Sequence, residues 1–145
     1  MLRVNKLTDY GSVILVYLAR YPGEKISAVS LAKAVFLPPA TVSNLLKKMV
    51  NNELLCSTLG KHGGYQLARP AEQISLAEII TALEGPIALT ECNVKKGLCR
   101  TEEHCDIRNN WRNINQMVYQ SLTQVSLKQM LPPENSAIKP ITLIG

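Results

Sequence analysis

Residues 39–69 read PATVSNLLKKMVNNELLCSTLGKHGGYQLAR, and the two halves of the stretch have different periods. In the first half Val42, Leu45, Leu46 and Met49 recur at i, i+3, i+4 and i+7, the spacing of a helix that buries one narrow stripe. Thr41, Ser43, Asn44, Lys47 and Lys48 are left on the other faces, which are small, polar and basic. Pro39 suits the first turn, where the amide it lacks would have no partner in any case. The second half holds two short runs able to extend, separated by GKHGG, in which Gly63 and Gly64 supply turn conformations that other residues avoid. A helix with such an outer face, followed at once by a glycine-tipped hairpin carrying Lys61 and His62, has the order of a winged helix-turn-helix. An ordinary surface helix with solvated lysines explains the helix alone but not the hairpin that follows it.

The flanking segments agree with this frame. In LTDYGSVILVYLARYPG, Thr8 is a plausible N-cap, Tyr10, Ile14, Tyr17 and Leu18 share one helical face, and Pro22-Gly23 ends the run, so a helix is expected over roughly 8–20. Ser27 or Ser30 caps a short second helix through SLAKAV, and the two prolines of FLPP force the turn into the third. Within the hairpin, Cys56 alternates with Leu55 and reads as a small apolar core residue. In ISLAEIITALEG, Ser75 and Glu78 form a capping box and Gly85 is a natural stop.

With 145 residues, the chain has room for one compact head and an extension. Its net charge of +5 favours an anionic partner without identifying it. The longest apolar run, in GSVILVYLARYPGEK, is too short to span a bilayer and follows a polar segment, so no membrane association and a cytoplasmic location are expected. No Ser-His-Asp set, phosphate-cradling glycine loop or paired catalytic carboxylates can be placed, which argues against an enzyme.

Three of the four cysteines, Cys92, Cys99 and Cys105, fall within fourteen positions in ECNVKKGLCRTEEHCDIRNNW. In a reducing compartment such a cluster points to metal or redox chemistry rather than to structural disulfides. The tight Cys-x-x-Cys knuckle of zinc sites is missing. Widely spaced thiolates make a looser cage, better matched to an iron-sulfur cluster. Three cysteines leave one ligand to come from a non-Cys group, an added molecule or a partner subunit; His104 is too close to Cys105 to share one small centre easily. A thiol sensor without a cofactor, or no role at all, also accommodates the same residues.

Beyond this stretch, Ile107, Trp111, Ile114, Val118, Leu122 and Val125 recur at steps of four or three. That two-in-seven seam suits a long helix pairing with a second copy of itself, although packing back on the head is the alternative. The reading is therefore mainly α: a winged helix-turn-helix head with a two-stranded wing over 1–85, a cysteine-rich loop over 86–105, a dimerisation helix over 106–131, and an extended or flexible tail over 132–145, where three prolines fall without a period.

The segments LTDYG, HGGYQLAR and ALEGPIALTEC, followed by Cys99, Cys105 and NNW, resemble the IscR and NsrR family of bacterial winged-helix transcription regulators, and within it the members that regulate the SUF system of iron-sulfur cluster assembly. The resemblance implies a homodimer joined through the long helix, binding double-stranded operator DNA as a repressor and carrying one iron-sulfur cluster, 2Fe-2S or 4Fe-4S, per subunit. It implies that Cys92, Cys99 and Cys105 are ligands. In some members a His three residues after the last Cys completes the set, but Arg108 stands there in this chain. In others the fourth ligand is an acidic residue of the TDYG segment from the opposite subunit, a position held here by Asp9. A carboxylate on such a centre would be a weak, exchangeable ligand. Members often carry an Arg just before the first glycine of the wing, where this chain has Leu59, so Lys61 would have to substitute in the minor groove. The rival readings are a regulator of the same fold that senses nitric oxide or redox state through its cysteines, and a small iron-sulfur carrier protein.

Overall fold

A computed structural model describes residues 3–134 of the chain. Helix α1 spans Lys6–Ala19 and is capped by Asn5, whose Oδ1 accepts from the Leu7 amide at 3.0 Å. Thr8, read from the sequence as the cap, lies inside the helix and is buried. Asn5 offers the same capping chemistry three residues earlier, which frees Thr8 to face the core. Helix α2, Ala28–Val35, is capped by Ser27, whose Oγ accepts from the Ser30 amide. Phe36 then takes a left-handed conformation, φ 55°, that turns the chain toward Pro38 and Pro39.

Helix α3, Pro39–Asn51, buries Val42, Leu45, Leu46 and Met49, the four residues that its period picks out. Strands β1, Leu55–Thr58, and β2, Gly64–Leu67, pair antiparallel with Leu55 opposite Leu67 and Thr58 opposite Gly64. Ile26 adds a further rung, exchanging both backbone hydrogen bonds with Tyr65 at 3.0 and 2.8 Å. That close passage requires glycine at 64, because a Cβ there would lie 2.8 Å from the Ile26 backbone. Cys56 is exposed rather than in the core. Successive strand residues point to opposite faces, so with Leu55 buried against the core the side chain of Cys56 points away from it.

Helix α4, Leu76–Glu84, carries the capping box: the Ser75 side chain accepts from the Glu78 amide while the Glu78 carboxylate accepts from the Ser75 amide. Gly85, at φ 98°, ends it. A short helix α5, Glu91–Val94, and a single 3-10 turn over 102–104 lie in the segment that follows. Helix α6 spans Arg108–Thr123 and has no buried residue.

The continuous helix expected through 131 stops at Thr123, because the chain returns to the head. The Leu76 amide donates to Val125 O and the Leu127 amide to Ile74 O, each at 2.8 Å. Leu127 is fully buried with Ile14, Leu15, Leu18, Leu46, Met49 and Ile79 in one core. A side chain of that size contributes about 2 kcal/mol when removed from water, and this contribution favours the return over two more turns of exposed helix. The architecture is thus mainly helical, with a two-stranded wing and a long C-terminal helix. Residues 135–145 of the expected tail lie outside the described residues.

Candidate functional site

On α3, Ser43, Asn44 and Lys47 are exposed and Thr41 is half-buried. Thr41, Asn44 and Lys48 follow one another at i, i+3 and i+7. With Leu7 and Leu45 they line a recess of about 350 Å³ between α3 and the start of α1. Lys48 has a second engagement: its Nζ donates to the Leu83 carbonyl at the end of α4, 2.9 Å away. Placed with Lys47 among the basic residues of α3, it thus also bonds a neighbouring helix. Lys61 and His62 are both exposed in the turn of the wing, and Leu59, just before it, is 97% exposed.

The three clustered cysteines lie in the segment between α4 and α6, and all three are half-buried free thiols. Two of them touch hydroxyls: Cys92 Sγ lies 3.1 Å from Thr90 Oγ1, and Cys99 Sγ 3.4 Å from Thr101 Oγ1. The segment is fastened to α6 at both ends. At its start, Asn115 Oδ1 accepts from the Leu89 amide at 2.8 Å while Nδ2 donates to Ile87 O at 3.1 Å. Near its end, the buried Glu102 accepts from the Gly97 amide and is ion-paired with Arg108, the first residue of α6. The Arg108 Nε is itself buried without a partner. Thus the residue standing where some resembling proteins have a histidine ligand is committed to a structural ion pair.

As donors, three thiols and a carboxylate suit an iron-sulfur cluster in kind. Among the described residues, however, no three His, Cys, Asp or Glu side chains come close enough together to hold a metal ion. The single subunit supplies the ligand types without gathering them. Asp9 is exposed in the first turn of α1, where a carboxylate also favours the helix dipole. The start of α1 does lie near the root of the cysteine segment. Glu84 Oε1 accepts from the Asn5 amide at 2.6 Å, and Arg3 and Val4 share a groove of about 300 Å³ with residues of 84–89 and with Val118 and Leu122 of α6.

Val118 and Leu122 are accordingly half-buried, whereas Ile107, Trp111, Ile114, Met117 and Tyr119 are exposed. The apolar seam divides: its second half leans on the head, while Ile107, Trp111 and Ile114 of its first half stay exposed among the described residues. Glu102, Asn115 and the engagement of Lys48 were not anticipated from the sequence. The one available signal was a polar Asn115 placed directly beside the seam residue Ile114.

No single helix among the described residues is long and apolar enough to cross a membrane. The family model described as Rrf2, iron-dependent transcriptional regulator, matches residues 4–133. The protein rrf2 of Nitratidesulfovibrio vulgaris is 27% identical over 131 residues, covering 90% of this chain and 87% of that protein. The structure of CymR, the global cysteine regulator of B. subtilis, superposes with a TM-score of 0.70 at 27% identity, covering 90% of this chain and 96% of that one. The IscR of T. potens superposes with a TM-score of 0.65 at 25% identity, covering 89% and 85%. The winged helix, the wing and the match over nearly the whole length lead to one conclusion: the chain belongs to the Rrf2 family of transcriptional regulators, which bind DNA and are not enzymes.

Proposed function

We propose that the protein is a homodimeric repressor of iron-sulfur cluster assembly genes, those of the SUF system foremost, whose affinity for its operator follows the state of the cysteine segment. The observation that carries this reading is the presence in one chain of an outward polar and basic α3 and a segment of three free thiols tied by Asn115 and Arg108 to α6. In this reading Thr41, Ser43 and Asn44 reach base edges in the major groove, while Lys47, Lys61 and His62 hold phosphates and set the register. Two copies joined along α6 present two recognition helices to a roughly palindromic site, with half-sites about 34 Å apart or a multiple of it.

Cys92, Cys99 and Cys105, with Asp9 of the partner subunit, are the residues that would hold one 2Fe-2S or 4Fe-4S cluster per subunit. When bound, the cluster supplies a labile redox centre. The protein's part is to present the thiols on a segment fastened to α6 and to convert a change there into a change at α3. A useful switch needs a coupling of about 1–3 kcal/mol between the two.

A second reading has a specific observation in its favour: the ligand-type side chains do not converge within a subunit, and every cysteine is a free thiol. There the same fold senses redox state or nitric oxide through the thiols alone. The test is an absorption spectrum of protein purified without oxygen, with iron and sulfide assayed on the same sample and on Asp9→Ala. Brown protein with near-equal iron and sulfide, labile in the variant, supports the cluster reading. Colourless protein that resists reconstitution but still binds DNA passes the function to the thiols.

A further inference from the structure

The last turn of α4 is where three parts of the molecule meet. A helix leaves its final carbonyls without intrahelical partners, and its C-terminal end favours a cation. Because Gly85 turns the chain away at φ 98°, donors for these carbonyls have to come from elsewhere. Recognition helix α3 and its cap supply two of them. Lys48 Nζ donates to Leu83 O at 2.9 Å, and Asn52 Nδ2 donates to Ala82 O at 3.4 Å while also bonding Lys48 O at 2.9 Å.

Helix α1 grips the same turn from another side. The buried Leu83 side chain sits over Gly11 so closely that a Cβ on Gly11 would come within 2.4 Å of Leu83 Cδ1. The Glu84 carboxylate meanwhile accepts from the Asn5 amide. Two residues beyond Gly85 begins the backbone that Asn115 clasps, and with it the cysteine segment.

We propose that Lys48 is a positioning residue: by bonding the end of α4 it sets the seating of the recognition helix on the element from which the cysteine segment departs. The bond to Leu83 O takes one of the three donors of the ammonium and fixes where its stem lies across the end of α4. Lys48 shares its stripe with Thr41 and Asn44, so a tilt that follows loss of the bond moves both base-reading candidates with it. The proposal rests on the DNA-binding reading only in using operator affinity as one of its two readouts.

The test uses the full-length protein and a duplex that the wild type selects from a random-sequence pool. In K48M, which keeps the aliphatic stem and loses the donor, affinity is expected to fall about tenfold. The slope of log affinity against log salt is expected to stay at the wild-type value, and amide hydrogen exchange over 85–89 to quicken. K48R, which retains a cationic donor, restores both. K47M instead lowers the slope by about two, as loss of one phosphate contact from each subunit of the dimer does. The slope separates a lost phosphate contact from a change of seating; titration of each variant with duplex at stoichiometric concentration gives its active fraction, so that affinities are compared per active dimer, and exchange outside 85–89 at the wild-type rate excludes partial misfolding. A K48M slope reduced by about two makes Lys48 a phosphate contact in each subunit and overturns the proposal, as does wild-type affinity in K48M. If the wild type selects no duplex, the proposed function fails separately, and the exchange rates over 85–89 alone decide the role of Lys48.

Discussion

Glu102 and Arg108 form an ion pair that closes the cysteine segment onto the first turn of α6, with the Glu102 side chain 5% exposed and that of Arg108 24% exposed. Removing one charge of a buried pair leaves the other without compensation, and the partial exposure of Arg108 reduces that cost. Glu102→Gln is expected to lose about 2 kcal/mol in urea denaturation. Alkylation of Cys99 and Cys105 should quicken roughly fivefold as the segment loosens. Unchanged alkylation rates would show that the pair does not hold the thiols in place.

Lys47 and Asn44 are both exposed on α3, yet they serve different ends in the proposed complex. Lys47→Ala should weaken binding to all duplexes alike and lower the salt slope by about two, one contact being lost from each subunit. Asn44→Ala should cost about 1–3 kcal/mol on the selected duplex and relax preference at one or two base pairs, with the slope unchanged. Competition assays at several salt concentrations separate the two, and identical behaviour would remove the distinction between reading and holding.

The unpaired half of α6 gives a test of the dimer. Ile114, a seam residue, is 43% exposed, so Ile114→Glu should leave the fold intact while placing a charge in the seam between copies. Sedimentation should show a monomer, with operator affinity lower by on the order of a hundredfold once the two half-sites are no longer linked. A charged variant that still sediments as a dimer would place the interface elsewhere.

Stability should fall in acid partly through Glu78. Burial alone would raise its pKa, but hydrogen bonds from the Ser75 amide, Arg69 and the Ser75 hydroxyl, together with the Arg69 charge, outweigh it and hold the carboxyl below its ordinary 4.5. A carboxyl depressed in the folded state contributes stability above its unfolded pKa and loses that contribution as pH falls through the folded value. The urea midpoint of the wild type should therefore drop between about pH 5 and pH 3, with a shallower drop in Glu78→Gln. Parallel curves would mean that the capping box gains nothing from the charge.

Much of the head was legible because its signals are local. The stripe from Val42 to Met49, the capping box of Ser75 and Glu78, and the stop at Gly85 each depend on neighbours within one or two turns. What escaped depends on partners far away in the chain. Thr8 has the chemistry of a cap, but Asn5 holds that place and Thr8 faces the core. Cys56 is next to Leu55 in a strand whose core face Leu55 takes, and which of the two faces inward depends on the body beneath. Lys48 looks like Lys47 until the end of α4, thirty-five residues away, is brought beside it. At the cysteine segment, the sequence shows which donors are present but not their mutual distances, since no local period governs an irregular loop. Asn115 fastens that loop through backbone groups, which leave no trace in side-chain spacing, and Glu102 does so through an ion pair with Arg108 that no helical period relates to it.

The return of the chain at Ser126 and Leu127 has a consequence for how the arm behaves. Residues 85–126 leave the head and come back to it, pinned at one end by α4 and at the other by the backbone bonds between Ile74–Leu76 and Val125–Leu127. The arm is therefore a handle attached at both ends, not a flag attached at one. A cut anywhere in the cysteine segment leaves α6 moored through Leu127, and α6 cannot swing out to exchange with another copy unless Leu127 leaves the core. The entropy of closing so long a handle rises only slowly with its length, so insertions among the cysteines cost little as long as the second mooring survives.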